Sequence, residues 1–367
     1  MPSDELSDDL SAWGGTATFA DFAGHEQLWE YCLALQRLLQ AEVSQLSLHI
    51  EDQEYPIGDV KLAYVANAAV NAIAGEWGGQ ESIALFSGTA LRLMAVAQTV
   101  MANPQLMSTI GSTAGEQASD ADVRAILDPR TPIIVAEPPA DPLRAAYANA
   151  LTVIGIHYVF AHELAHLAMG HVAHIATGGS NAGAFLEYDA ATPRHRGARD
   201  RLQRFLEFEA DTGAVMVSMP FVLDVVRTAS LNPFSPGSGT CADLVTLWAS
   251  GVGLVYTVLH HANARSGSHP PPIPRYYNAM MLGLSVAVQR QDECAEAYGD
   301  AVAQAHSALK RLWSVAGTES LAVRVLKRFG WRRSWPSIMN MDDDVPEEEQ
   351  RRWYELAKAR AERRRSR

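Results

Sequence analysis

Residues 160–171 read FAHELAHLAMGH, and within them His162, Glu163 and His166 form the pattern H-E-x-x-H. On a helix, residues four apart are only about 40° apart around the axis, so His162 and His166 project from one face. Two imidazoles on one face can grip one metal ion. Glu163 is rotated by about 100° from His162 and can reach a water on such an ion without ligating it. The same pattern also occurs in core helices whose two histidines are simply hydrogen-bonded, so the rest of the chain has to decide.

A catalytic zinc takes three protein ligands and leaves the fourth place for water. Residues 204–214, RFLEFEADTGA, offer the third. Glu207 and Asp211 are four apart and share a helix face, whereas Glu209 lies about 200° from Glu207. Ala210 and Ala214 are small and allow this helix to approach the first closely. Glu207 is therefore placed on the metal. Asp211, one turn on, is placed to accept the spare N–H of a ligand histidine and fix its tautomer. A solvated acidic face is the plainer reading of this segment, and the upstream histidines weigh against it.

Competing ligand sets do less well. The longer metzincin pattern requires Gly and His where the chain has Met169 and Val172. If the zinc helix continues, His171 points about 180° away from His162. It is read, like His157 and His174, as a packing or hydrogen-bonding histidine. Glu187 and Asp189 fall in a polar loop and are the weaker alternatives to Glu207.

These side chains need two helices to hold them. Residues 142–177 contain no proline after Pro142 and are mostly apolar, which predicts a long central helix ended by TGGSNAG. A second helix is predicted from about 198 to 218, stopping before Pro220. Apolar spacing predicts a helix from 25 to about 50 and another over TALRLMAVAQTVMA. Between them, ESIALF alternates between Gly78-Gly79 and Gly88 and reads as a short hairpin or two adjacent strands. The preceding KLAYVANAAVNAIA is alanine-rich for a strand. Further helices are expected near 240–263, 274–290, 294–316 and 318–329, with a last one from about 346. The fold class is α+β, predominantly helical, with a small sheet early in the chain. Residues 1–24 read as a flexible leader, 25–330 as one domain with a possible insert at 104–141, and 331–367 as a linker and basic C-terminal helix.

Composition narrows the function classes. The chain has 367 residues, is 48% hydrophobic and 20% charged, and has a formal net charge of −12. That is a globular balance, and the acidity argues against a general nucleic-acid role. The tail QRRWYELAKARAERRRSR is basic; it reads as a solvated helix end, or as a dock for an acidic partner. Cys32, Cys241 and Cys294 are odd in number and far apart, so reduced buried thiols in a cytoplasmic protein are expected. The longest uncharged apolar run, 244–259, falls short of the ~20 residues of a membrane helix. A buried core helix is expected there, with no integral membrane segment.

H-E-x-x-H followed by E-x-x-A-D, here Glu207 to Asp211, resembles the gluzincin metallopeptidases of the prenyl-protease and HtpX-like group. Two more fragments fit, in the group's order. VNAIAGEWGGQESIALFSG (70–88) is similar to the segment that forms an edge strand beside the active site, and HPPPIPR (269–275) is similar to a downstream H-P-x-x-x-x-R segment. The resemblance spans roughly 60–282, with about seventy residues between the strand and the zinc helix. The group's membrane helices are not evident, so a relative of the phage-exclusion (Lit-like) peptidases is favoured. The resemblance implies a zinc endopeptidase acting on a protein or peptide. His162, His166 and Glu207 would hold Zn2+, and Glu163 would be the general base. His269 and Arg275 would be donors to the oxyanion, and Ser82, Ile83, Ala84 and Leu85 would pair with an extended substrate. The alternative is a non-catalytic zinc- or peptide-binding module acting in regulation.

Overall fold

The computed structural model describes residues 10–22, 24–43, 46–50, 53–77, 79–132, 137–173, 184–186, 198–235, 237–262, 272–289 and 294–317, with a few positions between 355 and 362. Eight helices and six strands are named: α1 (Glu26–Val43), β1 (Ser47–Ile50), β2 (Gln53–Pro56), β3 (Lys61–Val65), β4 (Ala72–Trp77), β5 (Gln80–Phe86), α2 (Ser87–Ala102), α3 (Asp120–Leu127), α4 (Pro142–Ala168), β6 (Ala184–Leu186), α5 (Ala198–Pro220), α6 (Cys241–Ala262), α7 (Pro272–Gln289) and α8 (Cys294–Val315). The architecture is α+β and predominantly helical.

α4 is the central element. Pro142 at its start has the fixed φ that a first helical turn needs, and the Asp141 side chain accepts from the Arg144 N–H at 3.0 Å. From Tyr147 to Ala168 almost every side chain is buried. A helix apolar all round must be covered on all sides; α2, α5 and α6 pack on it, and α7 packs on α5 and α6. α6 is, among the described residues, the one helix long and apolar enough to cross a membrane, and 89% of its most apolar window is buried inside the protein. That matches the core helix expected at 244–259.

The larger sheet has the order β3-β5-β4-β6. β4 and β5 form an antiparallel hairpin in which Trp77 faces Gln80, and Gly79 takes φ +76° in its two-residue turn. β3 joins β5 in parallel, and β6, from the chain between α4 and α5, joins β4. β5 is therefore a central strand, hydrogen-bonded on both sides. The expectation that Ser82, Ile83, Ala84 and Leu85 form an edge open to substrate does not hold. Their ladder groups face Lys61 to Tyr64 on one side and Ala72 to Gly75 on the other. The covering strand β3, KLAYV, opens the stretch that reads as alanine-rich but holds only one of its alanines; Leu62, Tyr64 and Val65 are its buried residues, and the remaining alanines fall in the following turn and in β4.

Other boundaries differ too. α1 ends at Val43, and 47–50 and 53–56 form a separate hairpin. Residues 10–22, taken as leader, are docked: Leu10 packs with Val65, Ile73, Ala84 and Phe86, and Phe22 enters the main core. α5 runs through Pro220 into a π-helical turn at Phe221–Val226 instead of stopping before it. The region 104–141 includes α3, which packs against α2, α6 and α8, away from α5 and α7. The buried Arg144 guanidinium ties this region down through the carbonyls of Met101, Asn103, Leu106, Met107 and Ile110. The reduced-thiol expectation fails for two cysteines: Cys241 and Cys294 form a disulfide joining the starts of α6 and α8. Their pairing depends on two helix ends meeting in space, which their spacing does not reveal. The thiol argument for a reducing compartment falls with it. Cys32 stays a thiol, and burial pushes its pKa up to about 12.

Candidate metal centre

Two helices in close contact build the site. α4 brings His162, Glu163 and His166; α5 brings Glu207 and Asp211; all five are buried. The close approach has a local cause. A Cβ added at Gly213 of α5 would lie 2.6 Å from the Cβ of Ala165, which sits between the two histidines on α4. Ala210 and Ala214 are fully buried nearby on α5. α7 then adds Arg275 from its first turn.

The ligand-type atoms converge. His162 Nε2 and His166 Nε2 are 3.1 Å apart. Glu207 places Oε2 3.6 Å from the first and Oε1 3.8 Å from the second. One donor from each of the three residues falls within 4.8 Å of the others, and the cluster could hold a metal ion. The long metzincin set is not needed, and the group contains no cysteine.

Around this core the charges are ordered. Asp211 Oδ1 lies 3.1 Å from His162 Nδ1, so the ring N–H is directed to the carboxylate and the Nε2 lone pair to the cluster. Arg275 donates to both Asp211 oxygens at 2.8 Å from Nε and from one terminal nitrogen. The same terminal nitrogen is 3.3 Å from Glu207 Oε2. Burial is the largest single influence and would raise the Asp211 pKa, but the charge and hydrogen bonds of Arg275, together with His162, outweigh it and hold the carboxyl below its usual value. Burial would lower the Arg275 pKa, and Asp211 reverses that in turn. The guanidinium lies 5.2 Å over the Tyr256 ring, whose hydroxyl is 2.8 Å from that of Tyr158. Burial, and then the His162 charge, hold the His166 pKa well below the ordinary histidine value. A neutral imidazole is the form that binds metal.

The structure thus brings together His162, His166, Glu207, Asp211 and Arg275, with Glu163 on the same turn of α4. It separates Ser82–Leu85 from any ligand-pairing role of an edge strand. His269, His174, Glu187 and Asp189 lie outside the described residues. His157 is a packing histidine as expected: it stacks on Phe221 at 3.7 Å between ring centroids, and its Nε2 is 3.3 Å from Glu42. Two participants were missed from the sequence. Tyr256 under Arg275 and Gly213 against Ala165 depend on how the helices pack. His171 is the buried, hydrogen-bonding histidine expected, but it was expected to point away from the site, and its actual direction had a readable signal. Gly170, at φ +78°, ends the helix in the manner of a C-terminal glycine, and the predicted continuation to 177 overran it. Comparison with protein-family models, with curated proteins and with solved structures finds no match for this chain.

Proposed function

We propose that this protein is a zinc-dependent endopeptidase of the gluzincin kind, cleaving a protein or peptide substrate. The observation that carries the reading is the buried His162, His166 and Glu207 cluster with Glu163 on the same helix turn. The donor set fits zinc. Ligands on one tetrahedral zinc at about 2.0–2.2 Å stand roughly 3.3 Å from each other, close to the separations of 3.1, 3.6 and 3.8 Å. The charge balance also fits. Glu207 and Asp211 are buried carboxylates that share the Arg275 guanidinium, and Glu163 is a third buried carboxylate on the histidine helix, an acidic setting that suits a divalent cation. Structural zinc sites usually close all four positions, often with cysteine; here the two paired cysteines are engaged with each other, and Cys32 is buried beside Tyr64.

In this reading His162, His166 and Glu207 hold the ion, which when bound lowers the pKa of a coordinated water to about 7 and polarises the scissile carbonyl. The chain's own residues do the rest. Asp211 accepts the His162 Nδ1–H and keeps Nε2 free to bind. Arg275 holds Asp211 in place through two hydrogen bonds. Glu163 takes the proton from the attacking water and passes it to the leaving amine. Arg275 was expected as an oxyanion donor; its Nε and one of its two terminal nitrogens are engaged by Asp211, so its first task is to orient that carboxylate. The test is Glu163→Gln, assayed on a library of quenched fluorescent peptides with zinc content measured alongside. Zinc should be kept and hydrolysis should fall by about 10²-fold or more. Undiminished turnover in the variant would remove Glu163 from the base role.

A further inference from the structure

We propose that His171 and Glu209 act as positioning residues for His166: a two-step hydrogen-bonded support that fixes its tautomer and raises its affinity for the ion. This rests on the metal-site reading above. His162 has Asp211 behind it, and a ligand histidine ordinarily gives its second ring N–H to such a partner. Behind His166 stands another histidine. His166 Nδ1 is 2.9 Å from His171 Nδ1, and His171 Nε2 is 3.4 Å from Glu209 Oε2. His171 is fully buried, and the Glu209 side chain is 27% exposed.

The chain reaches this arrangement through Gly170. On an uninterrupted helix His171 would face away from the site. A φ of +78° at Gly170 turns the chain after Ala168 and brings the ring back against His166. Glu209 points away from the ion because it sits about 200° from Glu207 around α5. That same angle lets it meet the returning segment. α5 thus engages both ligand histidines of α4, directly at His162 and through His171 at His166.

The protons can be assigned one per ring. If His166 Nε2 carries the lone pair toward the ion, its Nδ1–H donates to His171 Nδ1. His171 then carries its hydrogen on Nε2 and donates to the Glu209 carboxylate. In the reverse arrangement His166 Nε2 carries the hydrogen and cannot ligate, and a lone pair of His171 faces the Glu209 oxygens. Glu209 therefore selects the arrangement in which His166 can bind metal. His171 and Glu209 bear on metal affinity without touching the ion.

The experiment measures zinc affinity by chelator competition in the full chain, with the visible spectrum of the cobalt-substituted protein as a second readout. Wild type and Glu207→Ala are the reference arms. His171→Phe should weaken zinc by about 10–100-fold and alter the cobalt bands. His171→Asn keeps an acceptor near the Nδ1 position and should stay within about threefold of wild type. Glu209→Ala, at a partly exposed position where folding is not at stake, should weaken zinc by several-fold, and Glu209→Gln by less. Zinc bound by wild type, lost in Glu207→Ala, but held at full affinity by both His171→Phe and Glu209→Ala overturns this proposal alone. No zinc in the wild type overturns the metal reading and this proposal with it. If His171→Phe does not fold, the Glu209 pair decides by the same criterion.

Discussion

The contact between Gly213 and Ala165 makes a quantitative prediction. Gly213→Ala places a methyl 2.6 Å from the Ala165 Cβ and 3.7 Å from its Cα. Carbon atoms pack at about 3.5–4.0 Å, so α4 and α5 must part by roughly 1 Å. Ala165 has no rotatable side chain with which to yield. Overpacking of this kind costs about 1–3 kcal/mol. The donors lie on opposite sides of that contact, two on α4 and one on α5, and metal sites tolerate only about 0.2 Å of error. Metal-free protein relieves the strain by letting the helices separate. Binding zinc must bring them back, so the strain appears as lost affinity, about 10–100-fold. Alanine is the better helix former by up to about 1 kcal/mol, which works against the effect. Gly299→Ala on α8 controls for this, because nothing lies within 4 Å of its added Cβ. That variant should gain slightly in stability and leave zinc affinity unchanged. Chelator competition and calorimetry on both variants provide the readouts. Gly213→Ala binding zinc as tightly as wild type would refute the idea that this contact sets the ligand spacing.

Two further outcomes follow from the charges. Arg275→Leu leaves buried Asp211 and Glu207 without the guanidinium they share, a loss of about 3–5 kcal/mol, which for a chain of this size lowers the melting temperature by roughly 4–6 °C in chelator. Added zinc should restore part of it, and a melt unchanged by the substitution would contradict the assigned role. His261 is held down to about 4 by burial, from an unfolded value near 6.5. Its unfolded form binds a proton between those values while the folded form does not, so its contribution is full above about pH 6.5 and is lost as pH falls toward 4. His261→Gln should make the decline of melting temperature across that window shallower; an unaltered slope would count against it.

How much of this was legible beforehand depends on the range of the interaction. The faces shared by His162 with His166, and by Glu207 with Asp211, follow from helix geometry, because each pair lies within one turn. Arg275 was placed by likeness to a known segment, and the structure seats it on Asp211 and Glu207. What failed was set by distant chain. β5 alternates like an edge strand, yet β3 covers it, and β3 is hidden in the sequence because the alanines that follow it mask a five-residue strand. The Cys241–Cys294 bond depends on α6 and α8 lying side by side. His171 is the hydrogen-bonding histidine expected, but its place beside His166 was missed for a local reason. An apolar stretch was extended past Gly170, although a glycine after the last regular turn is itself a stop signal.

The most direct test of the central claim is the metal content of the purified protein beside Glu207→Ala, by elemental analysis after dialysis against trace zinc. About one zinc per chain in the wild type, largely lost in the variant, is the predicted result. No metal in the wild type, or the same amount in both proteins, would contradict it.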